Sequence, residues 1–161
     1  HPARQAFDVL VRLFGDGLPM VRPLAARIER KRLLPAEGCL IWYRLAEAQP
    51  LTSFLSEKPL PENLWQQMGA LLRQMHDFNV SLSDLSAEDF SLIAGGKLFL
   101  GKVRGLSYQK SGHAGWKEAQ LQSLLTSLLE SRERGVARHF DDSDWLAMTS
   151  AYIRRARPMA D

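Results

Sequence analysis

One segment constrains this chain more than any other: residues 62–92, ENLWQQMGALLRQMHDFNVSLSDLSAEDFSL, where a strongly patterned helix runs into an acidic polar loop set between apolar anchors. Within 62–78, Trp65, Met68, Leu72 and Met75 recur at steps of three and four, the spacing of one helical face. Glu62 and Asn63 place acceptors at the helix start, where they suit its dipole. An aromatic and Met stripe at this spacing reads as core rather than as a cofactor box. Beyond the helix, Asp84 and Asp89 stand five apart in a polar segment between short hydrophobic anchors.

The flanking segments supply a small sheet and more helices. Residues 3–14 carry Phe7, Leu10, Val11 and Phe14 on one predicted helical face, which GDG at 15–17 ends. LPMVRPLAARIER and CLIWYRL read as two antiparallel strands joined through KRLLPAEG, the second expected to be the more buried. The lone cysteine, Cys39, falls in that apolar run and is expected to be a buried structural thiol; one cysteine excludes a disulfide scaffold and a Cys-based zinc site within a single chain. Thr52 or Ser53 would cap a brief helix through Ser56. FSLIAGGKLFLGKV has hairpin chemistry at Ala94-Gly95-Gly96. A second long helix is expected over Trp116 to Arg134 with Leu121, Leu124, Leu125 and Leu128 inward, and Asp141, Asp142 or Ser143 would cap a final helix through about Arg155. The order predicts an α+β domain, a small sheet preceding a mostly helical body.

The 161 residues suffice for one domain with a real core, and 21 Lys+Arg against 18 Asp+Glu give a charge of +3. That excess is too small and scattered for a nucleic-acid footprint, but it tolerates an anionic ligand or membrane surface. No run approaches the roughly 18 apolar residues that span a bilayer and no signal pattern opens the chain, so a soluble, cytoplasmic protein is expected.

Several runs together resemble the lipopolysaccharide kinase family, in particular the 3-deoxy-D-manno-octulosonic acid (Kdo) kinases, whose fold is protein-kinase-like. VLVRLFGDGLPMVRP is similar to that family's regulatory helix and following turn, CLIWYRL to the strand before its hinge, LWQQMGALLRQMHDFNV to the helix before its catalytic loop, and FDDSDWLAMTSAY to its C-terminal helix. The resemblance implies a single kinase-like domain, with 1–48 a remnant of the N-terminal lobe and 49–161 the helical C-terminal lobe. The glycine-rich phosphate loop and lysine-bearing strand that precede the regulatory helix in that fold are not expected from residues before Ala3. The helix glutamate of the family falls near Ala6, with Asp8 the only nearby acid.

The family's catalytic loop, H-x-D-L-N-x-x-N, aligns without gaps on LSDLSAED. By resemblance Asp84 is the catalytic base and Asp89 takes the metal-binding position, while Leu82 and Ser86 replace the loop His and first Asn. The metal-anchoring D-F-D run falls on Gly101-Lys102-Val103, and no Asp or Glu occurs between Asp89 and Glu118. Phosphoryl transfer depends on metal ions bridging the phosphates, so a base without that clamp has little to act on. Asp84 would then serve its own loop by accepting backbone N–H groups. Lys102, Arg104 and Lys110 put cations where acids are expected, and Lys102 and Arg104 are candidates for holding a phosphate or an acidic sugar directly. His76 reads as a packing or loop-bracing residue, and His113 as solvent-exposed, with no ligand-like spacing to His1 or His139.

The resemblance therefore implies a pseudokinase with a binding or regulatory role in lipopolysaccharide core assembly at the cytoplasmic face of the inner membrane. It would need no cofactor, and its partners would be a core sugar or a protein of the same pathway. The alternative is an active phosphotransferase that uses ATP and Mg²⁺ on a Kdo or heptose sugar, with Asp84 as base and Asp89 as sole metal ligand. A structural partner with no present ligand is a third class.

Overall fold

In the computed structural model, described over residues 2–29, 37–43, 47–93, 95–102, 105–109 and 115–154, the chain opens with helix α1 (Pro2–Gly15). Two apolar stripes overlap in its sequence, and the one carrying Ala6, Val9, Leu10 and Leu13 is buried. Val11 and Phe14, expected inward, remain 47% and 42% exposed.

Strands β1 (Pro23–Glu29) and β2 (Glu37–Trp42) form a two-stranded antiparallel sheet, in register from Ala25 opposite Ile41 to Glu29 opposite Glu37, with a register shift between Pro23, opposite Trp42, and Ala25. Here the sequence expectation fails. The second strand is not the more buried; both are largely exposed, Cys39 included, and Ile41, Trp42 and Tyr43 are 50%, 37% and 57% exposed. An apolar run is buried only if something covers it, and no described element covers the outer face of this sheet.

Strand β3 (Gln49–Pro50) leads directly into α2 (Leu51–Glu57), whose N-cap is Pro50 rather than Thr52 or Ser53; Thr52 is buried. Helix α3 (Glu62–Asp77) is the axis of the core, burying Leu64, Trp65, Met68, Gly69, Leu71, Leu72, Met75 and His76. After it come β4 (Val80–Leu82), a single 3-10 turn (Ala87–Asp89), and the hairpin β5 (Phe90–Ile93) and β6 (Lys97–Leu100). Gly95 and Gly96 both have positive φ, 89° and 73°, as a tight hairpin turn requires. The hairpin extends β3 into a three-stranded sheet of order β3-β5-β6, while β4 pairs antiparallel with β7 (Leu106–Tyr108).

Helices α4 (Trp116–Glu133) and α5 (Asp142–Ile153) close the body. Asp141 caps α5, its Oδ1 accepting the N–H groups of Ser143 (2.8 Å) and Asp144 (3.2 Å). Helix α5 crosses α3 so closely that a Cβ on Gly69 would run into the Met148 carbonyl oxygen. The N-terminal part is tied to the rest by main chain: the Leu100 N–H donates to the Pro19 carbonyl (2.9 Å) and the Val21 N–H to that of Leu100 (3.3 Å).

Candidate functional site

The polar loop lies between β4 and β5, and three neighbours fix its shape. Val80, Ser81 and Leu82 are all buried, and the Ser83 N–H continues the pairing by donating to the Gly105 carbonyl (3.3 Å). Gly105 has φ 78°, and a Cβ there would collide with Ser83 Oγ, so this crossing demands glycine. Helix α4 grips the loop from the other side with one polar stripe: Gln120 Nε2 donates to the Leu82 carbonyl, Ser123 Oγ to the Leu85 carbonyl (2.9 Å), and Ser127 Oγ accepts from the Ala87 N–H (3.0 Å). Sequence reading missed these three residues. Their spacing of three and four, interleaved with the leucines, was the available signal.

Asp84 sits at the loop apex with φ 51°, in the left-handed region that Asp and Asn tolerate better than other side chains. It is exposed, and its carboxylate takes no hydrogen bond from any described residue, contrary to the expectation that it would bind its own loop's N–H groups. The loop instead uses its main chain, because the Asp84 carbonyl accepts from Lys102 Nζ at 2.8 Å. Asp84 opens onto a groove of about 340 Å³ that Ser81, Ser83, Ser107, Gln109 and Trp116 also line.

Asp89 closes the 3-10 turn. Its Oδ2 accepts from Ser86 N (2.7 Å) and Ser86 Oγ (3.2 Å), reaching back over the turn in the manner of a helix cap. The same oxygen lies 3.2 Å from Lys102 Nζ, in an ion pair whose side chains are only 12% and 22% exposed. Gly101, immediately before Lys102, donates its N–H to the Asp89 carbonyl at 2.8 Å. A Cβ on Gly101 would meet only ordinary contacts, at 3.6 and 3.7 Å, so neither space nor φ requires glycine there.

As arranged, these residues do not fit a divalent-cation clamp. Asp89 supplies the one carboxylate, its inward oxygen is already shared by Ser86 and an ammonium group, and position 101 has no side chain. Among the described residues no group of three His, Cys, Asp or Glu side chains could hold a metal ion. Lys102, expected to hold an anionic ligand, directs its ammonium into the loop instead. Arg104, Lys110, His113 and His1 lie outside the described residues.

Behind the loop, His76 is fully buried between α3, α4 and α5. Its Nδ1 lies 2.7 Å from Tyr152 Oη and its Nε2 2.7 Å from Gln120 Oε1, with the Trp116 and Tyr152 rings edge-on to the imidazole. Desolvation by burial pulls the imidazole below its usual range, and the Gln120 hydrogen bond opposes this.

Comparison with known proteins gives the family and the fold. The chain is 33% identical over 156 residues to the 3-deoxy-D-manno-octulosonic acid kinase of Haemophilus influenzae, covering 91% of this chain and 61% of that protein. It is 30% identical over 148 residues to the enzyme of that name from Vibrio parahaemolyticus, covering 91% and 60%. It thus spans about three fifths of the length of these relatives. Among solved structures, WaaP in complex with acyl carrier protein superposes with a TM-score of 0.75 over 96% of this chain and 67% of that one; at 18% identity the likeness speaks for a shared kinase-like fold. The model of the lipopolysaccharide kinase (Kdo/WaaP) family matches residues 2–152, nearly the whole chain, and it is to this family that the protein belongs.

Proposed function

We propose that this family member keeps the kinase-like fold but not phosphoryl transfer, and that it acts as a binding or regulatory protein in lipopolysaccharide core assembly. One observation carries the reading: Lys102 stands 3.2 Å from Asp89 Oδ2, the carboxylate at the loop's metal position, next to a glycine where the second carboxylate is needed. Kinases hold two Mg²⁺ ions between those two positions and place most of their catalytic power in the resulting charge neutralisation. Neither ATP nor Mg²⁺ has a role in this reading. The partners it implies are a core sugar, seated in the groove beside Asp84, or a protein of the pathway, for which the acyl carrier protein bound by WaaP is the nearest example. A place at the cytoplasmic face of the inner membrane follows from those partners. No described helix is long and apolar enough to cross a membrane.

The second reading, an ATP-dependent phosphotransferase acting on a Kdo or heptose sugar, is favoured by Asp84 itself. Its carboxylate is exposed at the mouth of a groove and free of hydrogen bonds from described residues, as a general base must be. Incubation with labelled MgATP and a Kdo-terminated lipid A acceptor decides between them. Absence of transfer is expected; transfer by the parent chain that Asp84→Asn abolishes would establish the enzyme.

A further inference from the structure

We propose that the outer seam between α3 and α5 is a binding site for a small hydroxylated carboxylic acid, the chemistry of an acidic sugar, with the Arg73 guanidinium taking the carboxylate. The site shares no residue with the groove beside Asp84 and does not depend on whether that loop transfers phosphate.

The seam forms a groove of about 470 Å³, a size that suits a small ligand. Ala70 of α3 and Ala151 of α5 line it with no side chain beyond Cβ, which leaves the space open. Along this side α3 carries the amides Asn63, Gln67 and Gln74, and none of the three makes a side-chain hydrogen bond to a described residue. An amide offers both donors and an acceptor, which hydroxyl groups match and a bare inorganic anion does not. Arg73 supplies the charge and is already held in place. Its Nε donates to Asp77 Oδ1 at 2.9 Å, and its guanidinium carbon lies 5.9 Å from the centroid of the Tyr152 ring. That ring is itself fixed, since its hydroxyl lies 2.7 Å from Nδ1 of the buried His76. One guanidinium nitrogen is thus spent on positioning, while among the described residues nothing accepts from the two Nη groups. A fixed planar fork with free donors can give a carboxylate two parallel hydrogen bonds, and it has little side-chain freedom left to lose on binding. Arg154 at the end of α5 gives the groove two guanidinium groups against the single carboxylate of Asp77. The adjoining hollow, which shares Gln66 and Arg154, is lined by the acids Glu62 and Asp144. Positive potential is therefore confined to one end, which favours a ligand with one acidic group over a polyanion.

The test is an NMR titration of the full chain with glucuronate, glucose, acetate and inorganic phosphate at millimolar concentrations. Glucuronate should shift the amides of Ala70, Arg73, Gln74 and Ala151 saturably; glucose, which lacks the carboxylate, and acetate and phosphate, which lack the carbon-bound hydroxyls, should bind there about tenfold more weakly or not at all. Ala70→Glu, which puts a carboxylate into the groove at an exposed helical position, should abolish the response. Arg73→Lys keeps the charge but not the fork and should weaken it about tenfold. If Ala70→Glu does not fold, Arg154→Gln, at an exposed position, takes its place and should weaken binding. Glucuronate shifts confined to Ser83 and Ser107, or no saturable shift at all, overturn the inference. Acetate or phosphate binding as tightly as glucuronate overturns it too, as does an Arg73→Lys protein that binds like the parent. Phosphate transfer from MgATP by the parent would overturn the proposed function and leave these outcomes unchanged, so the two failures are distinguishable.

Discussion

His76 Nε2 lies 2.7 Å from Gln120 Oε1, and this one contact fixes the direction of a hydrogen-bond chain from the last helix to the loop. Gln120 donates its amide to the Leu82 carbonyl, so its oxygen must accept, which puts the imidazole proton on Nε2 and leaves Nδ1 to accept from the Tyr152 hydroxyl. In the neutral ring Nε2–H donates to Gln120 and Nδ1 accepts from the Tyr152 hydroxyl; a second proton on Nδ1 would displace that hydroxyl's donation.

Stability should therefore fall on mild acidification. The folded imidazole titrates below the usual 6.5 because burial disfavours its charged form, despite the Gln120 bond and the acids Asp77 and Glu118 nearby. Below pH 6.5 the unfolded chain takes up a proton that the folded one refuses, so stability is complete above that pH and declines as pH drops toward the lower folded value. The loss cannot exceed about 1.4 kcal/mol per pH unit. Urea unfolding at pH 7.5 and 5.5 measures it, and His76→Gln should flatten the slope while lowering stability at both values. An unchanged slope in that variant would place the titrating group elsewhere.

For Asp84 the geometry predicts a pattern of substitutions. Its left-handed backbone, φ 51°, is accessible to Asn and Gly but costs other residues on the order of 1 kcal/mol. Its side chain holds nothing, so Asp84→Asn and Asp84→Gly should unfold at the parent's denaturant midpoint and Asp84→Ala below it. A clear loss in Asp84→Asn would show that the carboxylate does hold the loop.

Gly69 sets the approach of α5 to α3. A methyl group there meets the Met148 carbonyl and cannot be accommodated by a rotamer change, so Gly69→Ala should destabilise by roughly 1–3 kcal/mol. Leu72→Ala, at a fully buried position of the same helix, should cost about 2–5 kcal/mol. Chemical denaturation reads both, and a Gly69→Ala protein as stable as the parent would mean that the helices pack further apart.

What was legible in the sequence was whatever local periodicity and local caps decide. The α3 stripe of Trp65, Met68, Leu72 and Met75 is buried, the hairpin turns at its glycines, and Asp141 caps α5. What was not legible depended on partners distant in sequence. The run holding Cys39 and Trp42 looks like core by composition, but burial is decided by what lies across the sheet. Helix α1 offers two stripes, and only its packing against the strands selects Ala6 and Val9 over Val11 and Phe14. At the site, the loop and a glycine at 101, where the resemblance puts an acid, were visible in the sequence. The destination of Lys102 was not, because a basic residue in a glycine-rich segment reads as solvated until Asp89, 13 residues earlier, is found beneath it. Gln120 and His76, 44 residues apart, carried no mutual signal.

Two glycines near the loop make opposite predictions and so test its geometry sharply. Gly105 has φ 78° and presses on Ser83, so Gly105→Ala faces both a disfavoured backbone and a collision; about 1–3 kcal/mol of destabilisation is expected. Gly101 has neither constraint, since an added Cβ lies 3.6 Å from the Asp89 carbonyl oxygen and 3.7 Å from the Phe99 ring. Gly101→Asp should thus fold with a stability within about 0.5 kcal/mol of the parent, as an unstrained replacement does. Its new carboxylate would stand beside Lys102, whose single charge must then serve two acids, so this variant should gain stability from Mg²⁺ where the parent gains none. Denaturation of both variants with and without Mg²⁺ checks the ordering. If Gly101→Asp proves the more damaging of the two, or Mg²⁺ leaves it unchanged, position 101 does not face the Asp89–Lys102 pair and the account of the missing metal clamp is mistaken.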